Sequence, residues 1–138
     1  RDAVIGRSII GEGTEVYGEI HNSVIGAGVV IGAGAVVRDS IIMRGCQIGA
    51  GAQITKAIIA EDSRIGEGTV VGVGDYAESR YSPKVYQFDL VTIGEHSVIP
   101  DHVRIGKNVA ISGVTTAEDY PDGALGSGEY IIKAGGVR

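Results

Sequence analysis

The sequence predicts an all-β fold: a single-stranded parallel β-helix, in which short strands joined by corners stack coil upon coil. Three observations predict it. Large aliphatic residues return in steps of six, six and five, giving a period of 17: Ile25, Ile42, Ile59; Ile31, Ile48, Ile65; Val37, Ile54, Val71. A second column never exceeds valine in size: Thr14, Val29, Ala35, Cys46, Ala52, Ser63, Thr69, Ser97, Val103 and Val109, with Ser8, Ser23, Ser40 and Ala57 in the five-residue steps. Composition is the third. Glycine numbers 23 in 138 residues, against one Phe, one Met and no Trp. The core must therefore come from Ile, Val, Ala and Leu, and the chain must turn often. A six-residue recurrence fits neither the 3.6 period of a helix nor plain strand alternation.

Each step is read as a short strand plus a corner, three steps forming a triangular coil. Parallel pairing between coils at about 4.8 Å puts like residues above one another, and one coil alone buries almost nothing. Coils are expected over residues 5–72. Ile10 and Val16 keep the rhythm, but Ile10 to Ile25 is 15 residues, so the first turn is shortened near Y-G-E-I. Residues 73–90 break the pattern. This insertion holds Tyr76, Tyr81, Tyr86, Phe88, Arg80, Pro83 and Lys84, and is read as a loop packing its aromatics over a side of the stack, with ligand or partner binding as the alternative. Coils resume over 91–113, with Ile93, Ile99, Ile105 and Ile111 in strict sixes. Residues 114–138 form a tail in which Pro121-Asp122-Gly123 is turn chemistry and Glu129–Lys133 a last strand over a side or end of the stack. The whole of 1–138 is one domain, and each end of the stack needs a cap against edge pairing.

A net charge of −5 without a Lys/Arg run argues against nucleic-acid or anionic-membrane partners. No apolar run approaches 20 residues and no signal sequence is present, so no membrane association is expected. The lone Cys46 rules out an internal disulfide and suits a reducing, cytoplasmic setting. The chain begins at Arg1, and is expected to be a piece of something longer.

The stretch V-I-G-A-G-V-V-I-G-A-G-A-V-V, residues 24–37, has glycines spaced as in a phosphate-cradling loop. Such a loop needs a strand before it and a helix after it. Here the pairs recur with the coil period and are followed by strand residues, so they are corners. Cys46 is read as a core thiol. His96 and His102 fall at the same place in consecutive steps, hence on neighbouring corners facing different ways, and His21 is distant. No catalytic residue and no metal site is expected in this chain. Glu61-Asp62 and Glu118-Asp119 are read as solvated carboxylates.

The repeats I-G-A-G-V-V, I-G-A-G-A-V, I-G-A-G-A-Q, I-G-E-G-T-V and I-G-K-N-V-A resemble the hexapeptide repeat of left-handed parallel β-helices, and the left hand is taken from that resemblance. Longer strings are more particular. E-V-Y-G-E-I-H-N-S-V-I, V-V-R-D-S-I-I-M-R-G-C-Q-I-G-A-G-A and I-T-K-A-I-I-A-E-D look like the C-terminal β-helix domain of bacterial glucose-1-phosphate adenylyltransferases. V-T-I-G-E-H-S-V-I-P-D-H-V-R-I-G-K-N-V-A-I and G-E-Y-I-I-K match the longer C-termini of some members. The resemblance implies a parent enzyme making ADP-glucose and pyrophosphate from ATP and glucose 1-phosphate for glycogen synthesis. Its N-terminal nucleotidyltransferase domain, with Mg2+, lies outside this chain, which alone is expected to be inactive and to need no cofactor. It further implies a homo-oligomer, dimer or tetramer, built through the β-helix, and a sugar-phosphate or nucleotide effector. By the same resemblance, Lys56, Arg80, Lys84 and Arg44 are the candidate effector or anion contacts. The alternatives are the β-helix domain of another sugar-phosphate nucleotidyltransferase, or a hexapeptide acyltransferase.

Overall fold

The computed structural model describes residues 3–133; residues 1–2 and 134–138, which the expected domain and tail include, lie outside the described residues. The chain winds through three parallel sheets. Sheet 1 stacks Val4–Gly6, Glu19–His21, Val36–Arg38, Gln53–Thr55, Val70–Val71, Arg104–Ile105 and Ala124–Leu125. Sheet 2 stacks Ile9–Ile10, Val24–Ile25, Ile41–Ile42, Ala57–Ile59, Val91–Ile93, Ala110–Ser112 and Tyr130–Ile132. Sheet 3 has five strands: Glu15–Val16, Val30–Ile31, Gln47–Ile48, Arg64–Ile65 and Val98–Ile99. This is the parallel β-helix that the hexapeptide rhythm predicts.

Register turns the sequence columns into physical ones. Ile10, Ile25, Ile42, Ile59, Ile93, Ile111 and Ile131 lie directly over one another in sheet 2. Val16, Ile31, Ile48, Ile65 and Ile99 do so in sheet 3. Between the outermost coils these side chains are essentially fully buried, each worth about 1.5–3 kcal/mol relative to exposure. The shortened first turn is a four-residue step from Val16 to Ile20, which still sets Ile20 in register with Ile5 and Val37 in sheet 1. Gly18 permits it: a Cβ there would collide with the Ala35 carbonyl of the next coil.

Residues placed in the tail return to the stack. Ala124–Leu125 pairs with Arg104–Ile105, and Tyr130–Ile132 with Ala110–Ser112, so these strands extend two walls instead of lying across a side or end. In place of a sixth strand, sheet 3 ends against residues 114–123, where two short 3-10 turns (Ala117–Asp119 and Pro121–Gly123) bring Tyr120 into the core at 2% exposure. At the other end Val4, Ile5 and Ile9 are 49%, 50% and 70% exposed.

The small column is small because it sits inside the corners, and several members are hydroxylic because the corners have backbone groups to satisfy. Ser23 Oγ donates to the His21 carbonyl and accepts the Ser40 amide one coil on; Ser40 Oγ donates to Arg38 and accepts the Ala57 amide. At a second corner Ser63 Oγ donates to Gly94 and accepts the Ser97 amide, and Ser97 Oγ accepts the Gly113 amide.

The paired glycines have two different causes. At Gly49, a Cβ would stand 2.6 Å from the Glu67 nitrogen, because the stacked backbones pass too closely. At Gly51, φ is +70° and a Cβ would meet nothing nearer than the Gly68 nitrogen at 4.0 Å. In other repeats the second position is occupied by Asp62, His96, His102 and Asn108, all at φ 56–57°. Gly49→Ala is therefore expected to destabilise by about 1–3 kcal/mol, as overpacking does. Gly51→Asn should cost less than about 1 kcal/mol, since asparagine tolerates this region. Thermal or urea unfolding of the two variants side by side checks the pair; equal losses would refute the distinction.

Candidate functional site

Function has to be sought on the outside of this stack, and the least repetitive outer surface is that of sheet 2. Its outward column runs Ile9, Val24, Ile41, Ile58, Thr92, Ala110 and Tyr130. The first three are 42–70% exposed. Over the other end of the same face the insertion folds back as a strap: with Thr92, Ala110, Ser112 and Ile132, Tyr81 and Tyr86 line a hollow of about 310 Å³. The Tyr81 ring lies 4.8 Å from that of Tyr130 and 5.8 Å from that of Tyr86, within the range of favourable aromatic pairs. Two of the insertion's four aromatics, Tyr81 and Tyr86, thus pack over a side of the stack as expected, whereas Tyr76 and Phe88 stay 65% and 76% exposed.

Two polar devices hold the strap. Asn108, only 1% exposed, donates from Nδ2 to the Ala77 carbonyl and accepts the Asp89 amide at Oδ1, at 2.9 and 2.8 Å. Arg80 donates its amide to the Gly128 carbonyl and its guanidinium Nη1 to Glu129 Oε2, at 2.7 and 2.9 Å. Neither Asn108 nor Glu129 was a candidate from sequence. A signal did exist for the first: I-G-K-N-V-A puts asparagine where its sister repeats have glycine.

The four candidate basic residues frame this face instead of converging. Lys56 occupies a left-handed corner (φ 52°) between sheets 1 and 2. Arg80 lies along that same edge, three coils on, or roughly 15 Å at about 4.8 Å per coil. Arg44 is at the corner between sheets 2 and 3, where its carbonyl accepts the Asp62 amide. Lys84 stands exposed in the strap, in a turn closed by the Val85 and Tyr86 amides on the Ser82 carbonyl.

Other groups resolve more simply. Cys46 is fully buried, its Sγ 3.0 Å from the Ala60 carbonyl, and burial pushes its thiol pKa up, which makes it a poor nucleophile. His96 and His102 are exposed corner residues on successive steps, at φ 56° each. His21 contacts Glu19 at 3.0 Å. Asp119 departs from the expected solvated carboxylate: it meets Lys133 Nζ at 2.7 Å and accepts the Thr116 amide at 2.8 Å, and these contacts hold its carboxyl below the usual range. No cluster of three or more metal-ligating side chains occurs among the described residues, and no described helix is long and apolar enough to cross a membrane.

A family profile described as "GlmU-like, C-terminal hexapeptide" matches residues 1–93. The chain belongs to this hexapeptide family. Among curated relatives it is 66% identical over 135 residues to a glucose-1-phosphate adenylyltransferase of Lachnospira eligens, covering 98% of the chain and 32% of the relative. It is 59% identical over 128 residues to one of Thermotoga maritima, covering 93% and 30%. The hexapeptide chain thus spans about a third of the length of the curated relatives it matches. In solved structures it resembles the acetyltransferase domain of PglB from Neisseria gonorrhoeae (TM-score 0.59, 21% identity, 91% of this chain and 52% of that one). WeeI from Acinetobacter baumannii is similar (TM-score 0.53, 17% identity, 96% and 52%). At such identities these two show the fold of the hexapeptide chain alone.

Tyr120 gives a pH prediction. Burial raises its phenol from an ordinary 10.0 to about 12, against a smaller lowering by its 2.8 Å contact with Thr115 Oγ1. A raised folded pKa stabilises the fold below the unfolded pKa, and that contribution is lost as pH rises through the folded one. Stability is therefore expected to fall between pH about 10 and about 12, and a Tyr120→Phe variant should lose less over that window. Tyrosinate absorbance with denaturant melts tests this; ionisation of Tyr120 at an ordinary pH would refute it.

Proposed function

We propose that the chain is the assembly and regulatory domain of a glucose-1-phosphate adenylyltransferase, the enzyme that converts ATP and glucose 1-phosphate into ADP-glucose and pyrophosphate. The observation that carries this reading is 66% identity across 98% of the chain to a relative of that description. The core supports a division of labour: its columns are aliphatic, its lone thiol is inert, and its glycine pairs serve the stacking, so nucleotide chemistry and Mg2+ are assigned to a nucleotidyltransferase domain upstream in the cytoplasmic parent. The exposed Val4, Ile5 and Ile9 offer that domain an apolar end on which to pack, since burial of such surface favours association. The bare outer column Ile9, Val24, Ile41 suits assembly between copies, and the basic rim of Lys56, Arg80, Lys84 and Arg44 suits a phosphorylated effector, arginine by its fork and lysine as a point charge.

Two measurements test the reading. The 138-residue chain should form no ADP-glucose from ATP and glucose 1-phosphate, whereas the full-length parent should. In that parent, Lys56→Ala, Arg80→Ala and Lys84→Ala should each weaken the response to phosphate-bearing effectors about tenfold or more, the scale of one charge-assisted contact, with unstimulated kcat unchanged. A parent without adenylyltransferase activity would sink the assignment; unaltered effector response in all three variants would remove the basic rim from it.

A further inference from the structure

The insertion is fastened in two places by two unlike devices, and the difference has a functional sense. Its ends leave and rejoin the stack at left-handed backbone: Gly72 and Gly74 at φ 90° and 99°, then Phe88 and Asp89 at 63° and 66°. Between those points Asn108 bridges Ala77 near the start to Asp89 at the end, using both ends of one buried amide. Buried, fully satisfied polar pairs of this kind are costly to open. The middle is held otherwise. Arg80 reaches the last coil through Gly128 and Glu129, and its ion pair is open to solvent, with side chains 72% and 38% exposed. Exposed pairs are weak and exchange partners readily.

We propose that residues 73–90 form a strap with a permanent clamp, Asn108, and a releasable latch, Arg80–Glu129, which an incoming phosphate group opens by taking the guanidinium from the carboxylate. The latch rests on the reading of Arg80 as an anion contact; the clamp does not. A phosphate presents the same paired oxygens as a carboxylate and carries more charge, so it competes for the same guanidinium. Glu129 directly precedes the strand Tyr130–Ile132, whose Tyr130 ring packs against Tyr81. Removing Arg80 from Glu129 therefore loosens the strap and the last strand of sheet 2 together, converting anion binding into a change at the C-terminal end of the solenoid.

Hydrogen exchange of the 138-residue chain, with inorganic phosphate as probe at fixed pH and ionic strength, tests both parts. Asn108→Gly removes the clamp but keeps the corner, because Gly128 occupies the equivalent place one coil on. It should accelerate exchange across 75–89 by about tenfold or more, the scale of two lost buried hydrogen bonds, while peptides within 41–65 keep their wild-type rates. Glu129→Gln should accelerate the strap and 129–132 by only about two- to fivefold, as for an exposed pair. Phosphate should do the same to the wild type and add nothing to Glu129→Gln or Arg80→Gln. Unchanged strap exchange in Asn108→Gly overturns the clamp. Phosphate that binds by calorimetry without altering strap exchange overturns the latch but leaves Arg80 as an anion contact. Calorimetry showing no phosphate binding overturns the anion reading itself, and with it the trigger.

Discussion

Everything in this molecule depends on the close parallel stacking of one coil on the next. At about 4.8 Å between strands, identical positions fall on top of one another, and the residue admitted at each level is decided by the level above and below. Isoleucine over isoleucine fills the middle in unbroken columns. Where the adjacent backbone leaves no room for a Cβ, as at Gly49 beneath Glu67, the first position of the repeat is held to glycine, although Met43, Ala60 and Pro100 take it in other repeats. The second, at φ near 70°, is required only by the turn, which is why Asp, His and Asn can replace it. Corner hydroxyls finish the stacking by giving each coil's backbone a partner from its neighbour.

Such a core leaves little scope for chemistry inside. Its buried polar side chains are hydroxyls engaged with backbone and the Asn108 amide that holds the strap, and the thiol of Cys46 is raised by burial and spent on a carbonyl. Specificity is therefore written on the surface, on one face above all. The outer side of sheet 2 is bare and aliphatic at its N-terminal end and covered by an aromatic strap at the other, with basic residues along both edges. The strap and the last coil hold one another: the carbonyl of Gly128 and the carboxylate of Glu129 receive Arg80, while Tyr130 receives Tyr81. An insertion of 18 residues between two coils thus becomes part of the architecture of a third.

This arrangement suits the role proposed for the chain, that of a domain which positions and regulates a catalytic partner. A rigid stack transmits displacement along its axis because each coil is bonded to the next through its whole perimeter, whereas the strap is attached by a few contacts of graded strength. The chain belongs to a hexapeptide family and matches about a third of the length of its adenylyltransferase relatives, and the proposed division between scaffold and catalytic domain rests on that likeness.

Most of the fold was legible in the residues, because periodicity is itself a packing rule. Steps of six and five with a return of 17 specify three walls, the aliphatic column specifies the core, and the small column specifies the corners. The tail was harder to read. Leu125 and Ile131 are also six apart, but they follow a stretch without the rhythm, and only the pairing with Ile105 and Ile111 reveals them as wall residues. Tyr120 was hidden too, since a tyrosine as core plug breaks the aliphatic rule. The candidate site was legible in composition alone: aromatic and basic residues gathered at 73–90 marked a departure from the repeat. Its placement was settled by contacts between residues 19 to 49 positions apart in the chain, Asn108 with Asp89 and Arg80 with Glu129. No local pattern records such contacts. By itself the sequence determined the coil, since each coil obeys a local period. Only the tertiary structure decided what the irregular segment rests on, because that depends on which distant side chains the stacking brings beneath it.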